Sequence, residues 1–215
     1  MDIPDIIRQR RSTRVFTEQV PSRESITKCL AAATWAPSAT NQQPWEFIVL
    51  TGEPLASVCG IIEEKFAECM QHQEAFGNPP EPLKKRQQEI FSAMLAAADE
   101  AGMDPNEIFE KSLRFFDAPV GVYVVTYKSP DNQYCLSTAA AIENFLIAAE
   151  ALGLATCWLT VTVVCQEDIK RHLGISDDKE LLAGVAVGYA DETHPLNNFT
   201  RTRAEVDALT TWRGF

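Results

Sequence analysis

The chain has 215 residues, of which 46% are hydrophobic and 23% charged, and its formal net charge is -11 at pH 7. These values predict a globular protein with one core, so we expect a single domain over residues 1–215. The acidic balance argues against nucleic acid or an anionic membrane as the main partner, because phosphate groups attract basic surfaces. No stretch approaches the roughly 18 apolar residues of a membrane span.

The N-terminal part predicts a short helix, a cluster of cations, a second helix and a strand. MDIPDIIRQRRS is typical of a short helix with Pro4 in its first turn, and RQRRSTR (8–14) contains four arginines. Ser22 is placed to cap a helix that runs to about Thr34. A polar loop, WAPSATNQQPW, leads into the β-rich run WEFIVLTG (45–52), which predicts a strand.

Residues 54–116 predict helices only. Helical periodicity covers 54–76 and 83–101, with a break at GNPPEP (77–82), and a third helix is expected from Asp104 or Pro105 to Phe116. We therefore predict a long helical insertion between two strands, acting as a lid or packed on the surface. Its phenylalanines are candidates for shaping substrate choice, although most are expected in the core: Phe66, Phe76, Phe91, Phe109 and Phe115.

The second half alternates strands and helices. Apolar runs predict strands at 120–127, 154–161 and 181–190, and helices are expected at 135–152 and 163–173. The helix at 135–152 is apolar nearly all round, with Glu143, Asn144 and Glu150 as exceptions, so we expect it to be buried. The alternation predicts a mixed α/β fold whose sheet is covered on both faces.

Motifs that would carry chemistry on protein side chains are largely missing. The sequence has no G-x-G-x-x-G, no phosphate-binding P-loop and no G-x-S-x-G, and its three histidines are scattered without metal-ligand spacing. We therefore expect no metal, and a cysteine–histidine nucleophile has no local support. This pattern favours a cofactor that brings its own reactivity.

Three segments carry groups that suit such a cofactor. RRSTR offers guanidinium groups that match phosphate oxygens, PSATNQQP offers hydroxyl and amide groups, and RTR (201–203) adds two cations. Together they predict a site for an anion and a polar ring. The alternatives are a solvated charged face and a small nucleic-acid binder that uses RQRRSTR, which the net charge disfavours.

The same segments resemble the FMN-dependent nitroreductase family. The resemblance rests on RRSTR (10–14), APSATNQQPW (36–45), ALGLATCW (151–158) and PLNNFTRTR (195–203), in the family's order. It implies an α+β fold with three α-β-α layers, a mixed central sheet, and an intertwined homodimer with two shared FMN sites. The charged first 20 residues lack the apolar stretch of a secretory signal, and the six cysteines form no C-x-x-C pair, so we expect a cytoplasmic protein.

The resemblance also implies roles for individual residues. One subunit would hold the flavin phosphate and ribityl chain with Arg10, Arg11, Ser12, Arg14, Arg201 and Arg203, and Arg14 would approach the N1–C2 edge of the ring. The other subunit would line the flavin with Pro37, Ser38, Ala39, Asn41 and Gln43. The strand end would run along the ring near N5 with Trp158, Leu159 and Thr160.

The implied reaction is hydride transfer from NADH or NADPH to flavin N5, followed by reduction of a nitroaromatic, a quinone or a similar small molecule. Transfer through one flavin face predicts ping-pong kinetics. Alternatives on the same fold are a reductive dehalogenase and an enzyme that fragments FMN. A non-catalytic flavin-binding protein is an alternative from another class.

Overall fold

The computed structural model describes residues 2–71 and 79–215. Its helices are α1 (Ile3–Gln9), α2 (Arg23–Ala33), α3 (Glu53–Gln71), α4 (Glu81–Glu100), α5 (Pro105–Leu113), α6 (Gln133–Ala151), α7 (Gln166–Leu173), α8 (Pro195–Asn198) and α9 (Val206–Leu209). Its strands are β1 (Trp45–Thr51), β2 (Val120–Tyr127), β3 (Ala155–Leu159) and β4 (Lys179–Gly188). Residues 72–76 of the predicted helix, including Phe76, lie outside the described residues.

The strands form one sheet in the order β1-β2-β4-β3. Every neighbouring pair is antiparallel, and parallel pairing within the described residues is limited to an isolated bridge between Ser12 and Thr156. The predicted α+β architecture is confirmed. Its sheet is less mixed than expected, because the segment around Ser12 makes only this one parallel bridge with β3. β1 and β3 are therefore the two edges of the sheet.

Both faces of the sheet are covered by helices. Side chains alternate along β2, so Val122 and Val124 pack with residues of α2 and α6, whereas Tyr123 and Val125 pack with residues of α3, α5 and α7. A strand buried on both faces reads as a continuous apolar run, which is why VGVYVVTY is apolar throughout. The result is the three-layer α-β-α arrangement.

The helices α3 to α5 build one of the outer layers. Leu55, Ile62, Ala98 and Ile108 are buried in the core on that side of the sheet. Among the phenylalanine candidates, Phe115 is fully buried, Phe66 and Phe109 meet edge-to-face at 5.3 Å between ring centroids, and Phe91 is 47% exposed. α3 and α5 therefore contribute to the core on this face of the sheet, whereas α4 packs on α5 and α8.

Several element ends differ from the sequence prediction, among them the start of α7 at Gln166 instead of residue 163 and β4 at Lys179–Gly188 instead of 181–190, and two of the differences have clear local reasons. α5 ends at Leu113 rather than near Phe116, because Phe115, Phe116 and Asp117 adopt left-handed φ angles of 55°, 54° and 55°. Such angles are incompatible with a right-handed helix. β3 ends at Leu159 instead of residue 161, since Val161–Val163 form a 3₁₀ turn.

Candidate functional site

Five arginines meet in a small cavity at the β3 edge of the sheet. The cavity has a volume of about 120 Å³. Its walls come from the segment after α1, from the C-terminal tail and from α4, and they comprise Arg10, Arg11, Ser12, Arg14, Ile90, Phe199, Arg201 and Arg203. The structure thus brings the first basic motif together with the C-terminal arginines, which are almost 190 residues away along the chain.

The backbone of RRSTR is anchored to the edge strand. Ser12 bridges Thr156 of β3, and the Thr13 amide donates to the Thr156 carbonyl at 2.9 Å. β3 has one free edge in this chain, so a neighbouring segment can satisfy its backbone groups there. This pairing fixes where the arginine side chains leave the backbone.

Asn197 ties the same segment to the C-terminal tail. Its side chain is 3% exposed, and its Oδ1 accepts hydrogen bonds from the amides of Arg14 (2.9 Å) and Val15 (3.3 Å). Its Nδ2 donates to the carbonyls of Val15 (2.7 Å) and Asp191 (2.9 Å). Sequence reasoning missed this residue, although its position inside PLNNFTRTR was an available signal.

The two C-terminal arginines have different surroundings. Arg201 donates to the carbonyl oxygens of Arg10, Arg8 (3.0 Å) and Gln9 (3.3 Å), so it holds the end of α1. Arg203 is exposed and donates to its own neighbour, the Thr202 carbonyl, at 2.8 Å. Arg201 is therefore largely engaged with protein, whereas Arg203 keeps most of its donors for a ligand.

The electrostatics of this cavity favour an anion. Burial, with a further contribution from Arg14, lowers the pKa of Arg11; burial, Arg11, Arg203 and Arg10 lower the pKa of Arg201. The Nε atoms of Arg10 and Arg11 are buried without a hydrogen-bond partner among the described residues. A phosphate would supply acceptors for these donors and relieve the repulsion between the guanidinium groups, so the residues fit a phosphate-bearing cofactor.

The end of β3 is held by a buried network. Tyr123 Oη donates to the Thr162 carbonyl at 3.0 Å, and Thr162 Oγ1 donates to the Leu159 carbonyl at 3.3 Å. Leu159 is buried, Trp158 is 36% exposed and Thr160 is exposed. Trp158 is thus not a simple core residue. Tyr123 and Thr162 were not predicted, because no local sequence signal links a strand to a turn some forty residues later.

The polar loop before β1 has an unusual backbone. Thr40, Asn41 and Gln43 adopt φ angles of 48°, 58° and 50°. The Gln43 amide donates to Ser38 Oγ at 3.0 Å, and Gln43 Nε2 donates to Asn41 Oδ1 at 3.1 Å. Strained backbone of this kind is common at binding sites. Pro37, Ala39, Asn41 and Gln43 are exposed, and Ser38 is half-buried.

The loop and the arginine cavity lie far apart within one chain. The loop precedes β1 and the cavity borders β3, so three strand spacings, about 14 Å, separate them across the sheet. Trp45 pairs with Thr126, and Thr126 pairs with Glu180 of β4, whereas Thr156 pairs with Val187 of β4. The stretch of β4 from Glu180 to Val187 adds about 23 Å of separation along the strands. One chain therefore does not bring the two predicted halves of the site together.

Other chemistries find little support in the described part of the chain. Residues 2–71 and 79–215 contain no group of three potential metal ligands among His, Cys, Asp and Glu. His172 Nε2 lies 3.2 Å from Ser57 Oγ, and His194 caps α8, so both imidazoles have partners away from the arginine cavity. None of the described helices has the length and apolar character required to cross a membrane.

The α-β-α sandwich and its arginine cavity define a protein of the α+β class with a strongly basic cavity at one edge of its sheet. The model of the nitroreductase family matches residues 7–189, and the chain belongs to this family. A nitrobenzene nitroreductase of Ectopseudomonas oleovorans is 29% identical over 98% of this chain and 96% of the relative. A chloronitrobenzene nitroreductase of Comamonas testosteroni is 28% identical over 98% and 96%.

Solved structures show the same fold. An FMN and NADPH-dependent nitroreductase from Sphigopyxis sp. strain HMH superposes with a TM-score of 0.91 at 24% identity, covering 100% of both chains. An FMN-dependent nitroreductase from Mycobacterium smegmatis, solved with NADPH, has a TM-score of 0.87 at 23% identity over 98% of this chain and 97% of that one. At these identities the likeness establishes the architecture.

Proposed function

We propose that this protein is an FMN-dependent NAD(P)H oxidoreductase of the nitroreductase type. The observation that carries the proposal is the cavity of five arginines, in which the buried Nε atoms of Arg10 and Arg11 have no hydrogen-bond partner among the described residues. Membership of the nitroreductase family and the nitroreductase relatives at 28–29% identity support the same conclusion.

In this proposal the arginine cavity holds the phosphate of FMN. Arg10, Arg11 and Arg203 present guanidinium donors, and each charge-assisted hydrogen bond contributes about 1.5–3 kcal/mol. Arg201 orders the backbone at the end of α1, and Ser12 offers a hydroxyl to the ribityl chain. The chain therefore supplies the positive charge and the geometry that fix one end of the cofactor.

The remaining contacts come from β3 and from a second copy of the chain. Trp158, Leu159 and Thr160 would line the flavin ring, with the network of Tyr123 and Thr162 keeping that strand end in place. The partner's loop of Pro37, Ser38, Ala39, Asn41 and Gln43 would cover the ring, because the loop of the same chain is too distant. Arg14 would supply positive charge near the ring and stabilise its reduced, anionic form.

Bound FMN would supply the redox chemistry, accepting hydride at N5 from NADH or NADPH and passing electrons to a nitroaromatic, quinone or similar small molecule in a ping-pong cycle. The relatives named for nitrobenzene and chloronitrobenzene support a nitroaromatic acceptor. A cytoplasmic location is part of the proposal, and the free cysteines support it because reducing compartments keep thiols unpaired.

The test is the absorption spectrum of the purified protein, followed by anaerobic titration with NADH and NADPH. A flavin spectrum that bleaches with nucleotide and recovers on addition of nitrobenzene or a quinone is the expected result. The released cofactor should be identified as FMN by chromatography. A flavin that neither nucleotide bleaches contradicts the oxidoreductase and leaves a flavin-binding protein.

A second candidate is an enzyme that fragments FMN. It is favoured by a relative from Rhodospirillum rubrum, a 5,6-dimethylbenzimidazole synthase that is 26% identical over 89% of this chain. The nitroreductase relatives are more similar and cover more of the chain, so this candidate ranks second. Irreversible loss of the flavin spectrum in air after reduction, with release of a benzimidazole, distinguishes it from a nitroreductase.

A further inference from the structure

Helix α6 carries two glutamates that its packing does not explain. The helix packs against the sheet and α2 through seven buried residues, and Glu143 and Glu150 interrupt its apolar sequence. Seven residues make almost two helical turns, so the two side chains leave the helix on the same side. Two carboxylates on one half-buried stripe of a core helix require a partner or a function.

Both glutamates face the arginine cluster. Glu143 Oε1 lies 3.6 Å from Arg10 Nε. Glu150 lines a second cavity of about 440 Å³, and Arg11 lines both this cavity and the cavity of five arginines. Glu192 and Tyr189 are the other titratable groups on its wall.

Glu150 is close to the arginines without being paired with any of them. It forms no salt bridge within 4 Å and no side-chain hydrogen bond among the described residues, whereas Arg10, Arg201 and Arg11 all act on its charge. Burial raises the pKa of Glu150, and the three arginines oppose that shift only in part. A half-buried carboxylate without a salt-bridge partner acts on the site through its electric field and does not hold one arginine in place.

We propose that Glu150 is a counter-charge that sets the affinity of the arginine cavity for the flavin phosphate by repelling it. Its negative charge partly neutralises the five arginines in the empty protein and opposes a dianion bound beside Arg11. The function assigned to Glu150 rests on the proposed FMN site. Glu143 acts in the same direction but more weakly, because its side chain is 43% exposed and therefore better screened.

The experiment compares Glu150→Gln with the wild-type protein by flavin fluorescence titration, using FMN and riboflavin as probes. We expect the Kd for FMN to fall about tenfold in the variant, since one repulsive charge is removed near a dianion. The Kd for riboflavin should stay unchanged, because riboflavin lacks the phosphate. Glu64→Gln, an exposed change of the same charge on α3, should alter neither Kd.

A pH series separates a charge effect from a change of shape. Because burial raises the pKa of Glu150, lowering the pH protonates this carboxylate before an ordinary glutamate, so the two FMN Kd values should converge as the pH falls. The flavin phosphate also loses one negative charge near about pH 6, so convergence of the two Kd values reports the electrostatic repulsion between the two groups as a whole. An FMN Kd that is unchanged or raised in the variant, or a ratio that does not vary with pH, overturns the proposal.

The design keeps this inference distinct from the proposed function. If the wild-type protein binds no FMN, the proposed function fails; if it binds FMN but the variant matches it, only the role of Glu150 fails. Should Glu150→Gln not fold, the same FMN and riboflavin titrations on Glu150→Ala, which also removes the charge, provide the test. A lower Kd for FMN with an unchanged Kd for riboflavin is expected, and an unchanged Kd for FMN contradicts the proposal.

Discussion

The arginines of the candidate site differ in what each contacts, although they look equivalent in the sequence. Arg201 is bound to three consecutive backbone carbonyls at the end of α1, whereas Arg203 reaches only its own neighbour. Both stand in the same RTR motif, so only their contacts separate a structural role from a binding role. This difference leads to a prediction for each.

Arg203→Ala should weaken FMN binding without lowering the stability of the apoprotein. Loss of one charge-assisted phosphate contact predicts about a tenfold or larger increase in the FMN Kd. Arg201→Ala should also lower the free energy of unfolding, because three carbonyl groups lose their donor. Fluorescence titration measures the FMN Kd, and urea unfolding of the apoprotein measures stability. Equal destabilisation by both variants would contradict a structural role for Arg201 and a binding role for Arg203.

Asn197→Ala should destabilise the protein by about 3 kcal/mol. The variant leaves two amides and two carbonyls without their side-chain partner in a buried position. Asn198→Ala is the matched control, because Asn198 is exposed and its Nδ2 bonds only to the Glu192 and His194 carbonyls. Chemical denaturation should show a clearly smaller loss for the control, and similar losses would argue against the anchoring role.

At the scale of elements, the central strand β4 and the turn after β3 fit together at Gly184. A Cβ atom at this position would lie 2.3 Å from Thr162 Oγ1 and 2.7 Å from Phe115 Cε1. Thr162 in turn holds the Leu159 carbonyl, so the space beside Gly184 determines how β3 ends. The missing side chain at Gly184 therefore leaves room for the turn that places Trp158, Leu159 and Thr160, the residues predicted to line the flavin.

Gly184→Ala is expected to lower the free energy of unfolding by about 3 kcal/mol, because a buried Cβ overlaps two neighbours. Gly60→Ala is the control: this glycine lies on the exposed side of α3, with nothing within 4 Å of the added atom. Removing glycine from a helix interior should stabilise the protein by about 1 kcal/mol. Thermal or urea unfolding of both variants tests whether Gly184→Ala lowers the free energy of unfolding and Gly60→Ala raises it.

Most elements were predictable because their signals are local. The apolar run of β2 and the Ser22 cap of α2 were read directly from the sequence, and the Ser22 side chain accepts a hydrogen bond from the Ser25 amide as expected. The left-handed stretch at Phe115–Asp117 was not predicted, since it contains no glycine. It is imposed by packing, which buries Phe115 against Tyr123 at 5.4 Å between ring centroids.

At the scale of the whole molecule, the separation of the loop from the arginine cavity predicts a dimer with shared sites. Arg203→Ala and Asn41→Ala should each lose activity as homodimers, since each damages both sites. Mixed and refolded together, they should form heterodimers in which one site combines an intact arginine cavity with an intact loop. NAD(P)H oxidation should then recover towards half of the wild-type rate in those heterodimers.

Light scattering on the purified protein provides the accompanying measurement of mass. We expect a dimer of the 23.9 kDa chain. A monomer that retains FMN, or the absence of any recovery when folded variant subunits demonstrably exchange, would contradict the shared site. Recovery after mixing two variants of the arginine cavity, such as Arg203→Ala and Arg11→Ala, is not expected and serves as the negative control.

The sequence by itself determined the family, the order of strands and helices, and the residue types of the site, because motifs and periodicity are properties of neighbouring residues. RRSTR and RTR (201–203), with the polar PSATNQQP segment, predicted a site for an anion and a polar ring, and the five arginines of the two basic segments do meet. Only the tertiary structure decided which arginine is held by backbone carbonyls, that Asn197 ties the two motifs together, and that the polar loop lies at the opposite edge of the sheet. These facts depend on contacts between segments far apart in the chain, and a short stretch of sequence does not indicate which distant segment it will contact.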